Sequence, residues 1–371
     1  MITKLVLISF MMLASFSCSD EKITDSSNDQ DFPTAAEVIK DMGPGFNLGN
    51  TFDNGYNPTN FEDIGLIITL YKNAGLKHIR IPTTWLEGFG GNSLADETGK
   101  VKLDHERLAI LKNVIDFAIG KDLYVVLNTH HERAFKEHYD GSAAMVELFT
   151  NLWTDIATIF ESYDHHLIFE ILNEPEGAFG SWGGSIPTSD PRGLLLTRKV
   201  MAVGVDAIRA TGGKNLQRTV MIATNGQGNH NQIDDVYPDK SSLPGGGTDK
   251  YLSIQVHSYD PWSFCGESGN NSEYPGDVAL INSLKAVAAH GRKLDVPLNY
   301  GEYGVGRNGN QNERNTDLVR GYYKTFVETA LQENMSTTVW DDRGWFGLIT
   351  KSGNSYTFTY NIVPFMLSGV N

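Results

Sequence analysis

Residues 103–130 read LDHERLAILKNVIDFAIGKDLYVVLNTH. Leu103, Leu108, Leu111, Val114, Ile115, Ala118 and Ile119 hold close to a helical spacing, the signature of one apolar helix face. Tyr124 to His130 then follows as a short, β-rich run. The same alternation extends in both directions. Strand-like runs stand at Gly45 to Asn50, His78 to Thr83, Tyr124 to His130, Leu167 to Asn173, Thr219 to Asn225, Tyr251 to Tyr259, Pro297 to Tyr303 and Ser336 to Asp341. Further helical patterns cover Ala143 to Phe160, Leu194 to Ile208, Val278 to Ala289 and Leu318 to Leu331. Strand and helix alternating about eight times predict an α/β fold, a single (β/α)8 TIM barrel. A doubly wound open sheet would need fewer strands and, for a nucleotide, a Gly-rich turn whose spacing Gly43-Pro44-Gly45 lacks.

Composition agrees with one large folded domain. The chain has 371 residues, 40% hydrophobic and 20% charged, which is ample apolar material for a barrel core. Thirty basic residues against 45 acidic leave a net charge of −15, which repels nucleic acid and anionic membrane surface. With only Cys18 and Cys265, neither a disulfide scaffold nor a four-thiolate zinc site can be drawn. At the front, Lys4 precedes the apolar run Leu5 to Phe16, which is shorter than the roughly 20 residues of a membrane crossing and reads as an export signal. Ser15-Phe16-Ser17-Cys18 resembles a bacterial lipoprotein cleavage box, and the acidic start Ser19, Asp20, Glu21 resembles a surface-export tag. The expected organisation is a signal peptide over 1–17, a lipid-anchored Cys18 with a flexible spacer to 32, and one catalytic domain over 33–371. An outer-membrane or cell-surface lipoprotein is expected, with a secreted or periplasmic protein as the alternative, and Cys265 is a lone buried thiol.

In a (β/α)8 barrel the chemistry gathers where strands run out. The expected strand ends carry Asn47 and Asn50, Arg80, His130 and His131, Asn173 and Glu174, His257 and Tyr259, Glu302, and Trp340. Alternation points them inward: His78 and Arg80 share one face of their strand, and Gln255, His257 and Tyr259 share one face of theirs.

These residues resemble glycoside hydrolase family 5, the large cellulase family of retaining barrel enzymes. The resemblance runs in order through Gly45-Phe46-Asn47-Leu48-Gly49-Asn50-Thr51, Arg80-Ile81-Pro82, Asn128-Thr129-His130-His131-Glu132, Phe169 to Pro175, His257-Ser258-Tyr259, Gly301-Glu302-Tyr303-Gly304 and Trp340-Asp341. It implies that Glu174 is the acid/base and Glu302 the nucleophile. Retention independently requires such a pair, roughly 5 to 5.5 Å apart, one protonated and one ionised. It further implies that Arg80 and Tyr259 keep Glu302 ionised, that His257 serves the proton exchange of Glu174, that Asn173 holds the sugar 2-hydroxyl and that Trp340 is the platform under the sugar. Arg80 has an alternative reading as the core partner of Glu170, and His131 as a structural imidazole beside a sugar-facing His130.

Sugar rings present flat C–H faces, so loop tryptophans are candidates for outer subsites: Trp85, Trp182, Trp262 and Trp345. Trp153 lies in a helical stripe and reads as core; His138, His165 and His166 read as surface. After Trp340 the chain reads Asp341-Asp342-Arg343-Gly344-Trp345 where many family members have Asn and Gly after the Asp, which leaves the outer subsites open. The implied activity is a retaining endo-β-1,4-glucanase acting on β-glucan as a monomer, without cofactor or metal. The same mechanism on xyloglucan, mixed-linkage glucan or mannan is the alternative, and an inactive surface glycan-binding lipoprotein is a more distant one. A metal-hydrolase reading would use His130, His131, His257 and Asp260 as ligands.

Overall fold

In the computed structural model the described residues are 32–54, 61–88 and 92–370. The expected export signal, Cys18 and nearly all of the spacer fall on residues 1–31, outside the described residues. At the start of the barrel domain, the Phe32 amide donates to Gln217 Oε1 at 2.8 Å.

Thr34 opens α1 (Ala35–Met42) with a reciprocal cap, its hydroxyl taking the Glu37 amide while the Glu37 carboxylate returns to the Thr34 amide. Eight strands follow: β1 (Pro44–Asn47), β2 (His78–Ile81), β3 (Tyr124–Asn128), β4 (Leu167–Glu170), β5 (Val220–Ala223), β6 (Leu252–Ser258), β7 (Leu298–Tyr303) and β8 (Ser336–Val339). Each pairs in parallel with the next, and β8 closes on β1 through Gly45 opposite Thr338. Between the first strands lie α2 (Phe61–Asn73), α3 (Glu106–Ile119), the short α4 (Arg133–His138) and α5 (Ala143–Ile159), with α6 (Pro191–Ala210) after β4 and further long helices at Asp277–Leu294 after β6 and Asp317–Gln332 after β7. The predicted barrel is therefore the observed one, strand for strand.

Most of the core lies between the strands and the surrounding helices. A separate apolar plug closes the N-terminal end of the barrel, where Val38, Ile39 and Met42 of α1 meet Tyr124, Val126, Ile168 and Met221. That leaves the polar inner residues to the opposite mouth. One stripe residue was misread: α3 begins only at Glu106, behind His105, whose Nδ1 accepts from the Arg107 amide, so Leu103 precedes the helix and is 72% exposed. Trp153 is core as expected, with its indole N–H donated to the Ile171 carbonyl. His138 is exposed, whereas His165 and His166 are half-buried beside the Tyr124 ring. After β8 an antiparallel hairpin, β9 (Ile349–Ser352) and β10 (Ser355–Phe358), packs outside the barrel and is held to α2 by Lys351 and Asp63.

Candidate active site

Arg80, at the C-terminal end of β2, is fully buried and organises the mouth. Its guanidinium grips Glu170 of β4 with two nitrogens at 2.6 and 2.8 Å, and reaches Glu302 at 2.8 Å, Asn47 at 2.8 Å and Asn173 at 2.6 Å. Both readings of Arg80 therefore hold at once, because a planar five-donor group can satisfy a core carboxylate and a site carboxylate together. Asn47 ties this cluster to β7 by donating to the Gly301 carbonyl at 2.9 Å.

A register shift sets the other wall. Val256 of β6 lies opposite Tyr300 of β7, but His257 lies opposite Glu302, so Gly301 is an extra residue on β7. The bulge re-aims Glu302 toward His257. Glu174 reaches the same point from the turn after β4 with its backbone in the left-handed region, φ +44, a conformation costing about 1–3 kcal/mol for a non-glycine residue. His257 Nδ1 lies 3.0 Å from Glu174 Oε1 and 3.7 Å from Glu302 Oε2, and oxygens of the two glutamates stand within 4.8 Å of each other. Tyr259 donates its hydroxyl to Glu302 Oε2 at 3.0 Å.

The two carboxyls have different surroundings. Burial raises Glu174 to about 7; the charge of Lys136 opposes the rise and Glu176 adds to it. Burial also raises Glu302, while His257 and Arg80 pull it back and Glu174 pushes it up. Only Glu302 has a guanidinium and a phenol hydrogen-bonded to its oxygens, contacts that favour its charged form. Burial lowers His257 to about 4, so its ring is neutral near pH 7 and its Nδ1 can accept a hydrogen bond from the protonated carboxyl of Glu174.

A cleft of about 750 Å³ surrounds these groups, lined by His130, His131, Trp182, Gln227, Asn229, Asn231, Trp262, Trp340 and Phe346 as well as the catalytic candidates. Trp340 lies parallel to the His130 ring, 3° between planes at 6.1 Å. Gly49 makes room for that indole: a Cβ there would stand 3.0 Å from Trp340 Cη2 and 2.8 Å from the Asp341 carbonyl. Both histidines border the cleft, with His131 a quarter exposed. Trp182 and Trp262 are 56% and 50% exposed, with ring surface available to a ligand.

Three expected contacts are corrected. Trp85 is completely buried, its indole N–H donated to the Asn128 carbonyl, so it is a wedge under the loop and presents no face to the cleft. Trp345 is exposed but outside the cleft lining; its neighbour Phe346 takes that place, because Asp342 accepts the Gly344 and Phe346 amides and turns the loop there. Asn50 is spent on the scaffold, donating to the Asp342 carbonyl and accepting from Asn54. Gln227, Asn229 and Asn231 were missed. Their signal was the polar, Gly-rich run Asn225-Gly226-Gln227-Gly228-Asn229 just past β5, where three successive residues have positive φ.

The metal-hydrolase set does not assemble. Asp260 lies 3.2 Å from His230 Nε2, His257 belongs with the glutamates, and His130 and His131 turn toward Asp53 at 4.0 and 3.8 Å. Carboxyls with oxygens within 4.8 Å match the close pairing of glycoside hydrolases that pass through a covalent glycosyl-enzyme, whereas inverting enzymes set theirs roughly 6.5–9.5 Å apart. Fold and site together are those of the class of barrel glycoside hydrolases with paired carboxylates.

Comparison with known proteins narrows that class. Residues 43–343 match the family model for cellulase, glycosyl hydrolase family 5, and the chain belongs to this family. It is 34% identical over 362 residues to endoglucanase A of Clostridium longisporum, covering 88% of this chain and 64% of that protein, so it spans just under two thirds of that relative's length. Endoglucanase B of Ruminococcus albus is 30% identical over 340 residues, covering 87% of this chain and 76% of that protein. A solved structure of a broad-specificity endoglucanase from Clostridium longisporum aligns with a TM-score of 0.74 at 27% identity, covering 90% of this chain and 98% of that one.

Proposed function

We propose that the protein is a retaining endo-β-1,4-glucanase that cuts β-glucan polysaccharides by double displacement. The observation that carries the reading is the pair Glu174 and Glu302, with oxygens within 4.8 Å and unlike hydrogen-bond partners. In the first half-reaction Glu302 attacks the anomeric carbon while Glu174 gives its proton to the leaving oxygen; the glycosidic bond breaks and an ester to Glu302 forms. In the second, Glu174 takes a proton from water, whose oxygen displaces Glu302 and restores both groups. Asn173, oriented by Arg80, offers its amide to the 2-hydroxyl, and Trp340 with His130 and His131 forms the sugar platform. Trp182 and Trp262 extend aromatic surface beyond the cleavage point, which supports action within a chain.

The broad specificity of the Clostridium longisporum endoglucanase supports assaying xyloglucan and mixed-linkage glucan beside unbranched β-1,4-glucan. We further infer, from residues 1–32 of the sequence, that the enzyme is tethered outside the inner membrane through lipid at Cys18. Two measurements test the catalytic reading. Glu302→Gln lowers kcat by several orders of magnitude in a protein that still folds, and NMR of the first-formed product shows the β-anomer. Near-normal turnover of Glu302→Gln, or an inverted anomer, refutes it.

A further inference from the structure

The wall of the cleft that follows β5 and β6 is built around one oxygen atom. Asp260 stands just past β6, and its Oδ2 accepts the side-chain amides of Asn229 at 3.0 Å and Asn231 at 2.8 Å. His230 Nε2 lies 3.2 Å from the same oxygen. The His230 ring is buried, and its Nδ1 is 3.0 Å from the hydroxyl of Tyr300, a wholly buried residue of β7. Asp260 is thereby anchored to the barrel on one side and holds the loop after β5 on the other. That loop turns sharply: Gly226, Gln227 and Gly228 have φ of +58, +57 and +69, and Asn229 then meets His257 in a single backbone bridge.

The same contacts set the polarity of the wall. Burial works against the charge of Asp260, but His230 and Asn229 hold its carboxyl below the usual aspartate range. A carboxylate only accepts hydrogen bonds, so each asparagine turns its nitrogen toward Asp260 and its oxygen away. The Asn229 oxygen is taken by the Asn231 backbone amide at 2.8 Å. The Asn231 side chain is exposed, and among the described residues no donor reaches its oxygen. Asn229, Asn231 and Asp260 border the same cleft as Trp182 and Trp262. An accepting oxygen beside aromatic surface suits a sugar ring, which carries hydroxyl donors at its rim and C–H groups on its faces.

Which sugar lies there follows from the acid. Glu174 gives its proton to the leaving oxygen, and His257, 3.0 Å from Glu174, is the residue that Asn229 meets. Arg80, Asn173 and Trp340, which serve the sugar under attack, come from the ends of β2, β4 and β8. The loops after β5 and β6 are left to the saccharide that departs.

We propose that Asp260 is a positioning residue of the leaving-group side, which fixes Asn229 and Asn231 so that the Asn231 oxygen accepts a hydroxyl of the departing saccharide. The inference rests on the double displacement proposed above. By microscopic reversibility the same oxygen receives a saccharide that enters to attack the glycosyl-enzyme, so Asp260 also governs transfer to sugar against transfer to water.

The test compares Asp260→Ala, Asp260→Asn and Asn231→Ala, each checked by thermal melting, on cellopentaose and on a dinitrophenyl β-cellobioside, whose leaving group carries no sugar hydroxyl. In Asp260→Ala the ratio of kcat/KM on cellopentaose to kcat/KM on the aryl cellobioside falls about tenfold, the size of one lost hydrogen bond. Asn231→Ala gives a similar fall, and the double variant falls no further, because both substitutions act on one contact. Asp260→Asn keeps one accepting oxygen and recovers part of the ratio. Added cellobiose attacks the anomeric carbon in place of water, giving its hydroxyl proton to Glu174 as Glu302 departs, and the yield of this transfer product relative to hydrolysis falls about tenfold in the same variants. An unmoved ratio in folded Asp260→Ala or Asn231→Ala, or a double variant whose loss is the product of the single losses, overturns the inference and leaves the two glutamates in their roles. If Asp260→Ala does not fold, Asn231→Ala, altered only at an exposed side chain, decides the outcome. Wild-type enzyme that yields no transfer product and releases an inverted anomer overturns the double displacement itself.

Discussion

Replacing Arg80 with Met separates the two duties of the guanidinium. The variant leaves Glu170, wholly buried, and Glu302, 5% exposed, without their cation, and frees oxygens of Asn47 and Asn173. Breaking a buried ion pair from one side costs about 3–5 kcal/mol, so a loss of that size is expected at pH 7. The loss depends on pH with a definite sign. Burial pushes Glu170 up, but the charge and hydrogen bonds of Arg80, with one from Asn128, bring it below the usual glutamate value. The pair therefore stabilises the native protein above the unfolded glutamate pKa of about 4.3, and that stability fades as pH falls through the lower folded value. In the variant both carboxyls have raised values, so it loses stability as pH rises through about 4.3. The gap between the two proteins is widest near pH 7 and narrows below about pH 4. Urea unfolding at both pH values measures it, and Arg80→Met with Glu170→Gln recovers part of the stability without recovering turnover. A gap under about 1 kcal/mol at pH 7, or one equal at both pH values, refutes the reasoning.

With Glu174 raised to about 7, kcat/KM of the native enzyme falls as pH rises through that value, and a pH–rate profile on soluble glucan reads the limb directly. Trp340→Ala removes a half-buried stacking surface and lowers kcat/KM about five- to tenfold, an effect of about 1 kcal/mol, with little change in melting temperature. Trp85→Phe gives the opposite pattern, since it removes a buried N–H···O bond and part of a packed ring: stability falls by about 1–3 kcal/mol while KM for cello-oligosaccharides stays put. Cys18→Ser, expressed in a bacterium that processes lipoproteins, moves the enzyme from the membrane to the soluble fraction; wild type already in the soluble fraction refutes the tether.

The barrel was legible because each strand run is short and apolar and each helix keeps its own period, properties that neighbours along the chain already carry. The strand ends were legible for the same reason. Alternation puts Arg80 on the inner face of β2 whatever stands opposite, whereas Glu302 is turned toward His257 by the extra residue Gly301, which the period of β7 alone does not show. The tryptophans were not. Trp85 and Trp182 both follow strands in polar loops, yet one is wholly buried and the other is 56% exposed. What separates them is the Asn128 carbonyl and the packing beneath the first loop, contributed by residues more than 40 positions away.

Sequence alone thus determined the fold class and the order of the strands, since both follow from local periodicity. Only the tertiary structure decided how the groups at the mouth divide the work. The extra residue in β7 that brings His257 opposite Glu302 and the sharing of Arg80 between Glu170 and Glu302 both depend on strands far apart in the chain. Desolvation and charge act through space, so the unlike environments of the two glutamates exist only once the barrel has closed around them.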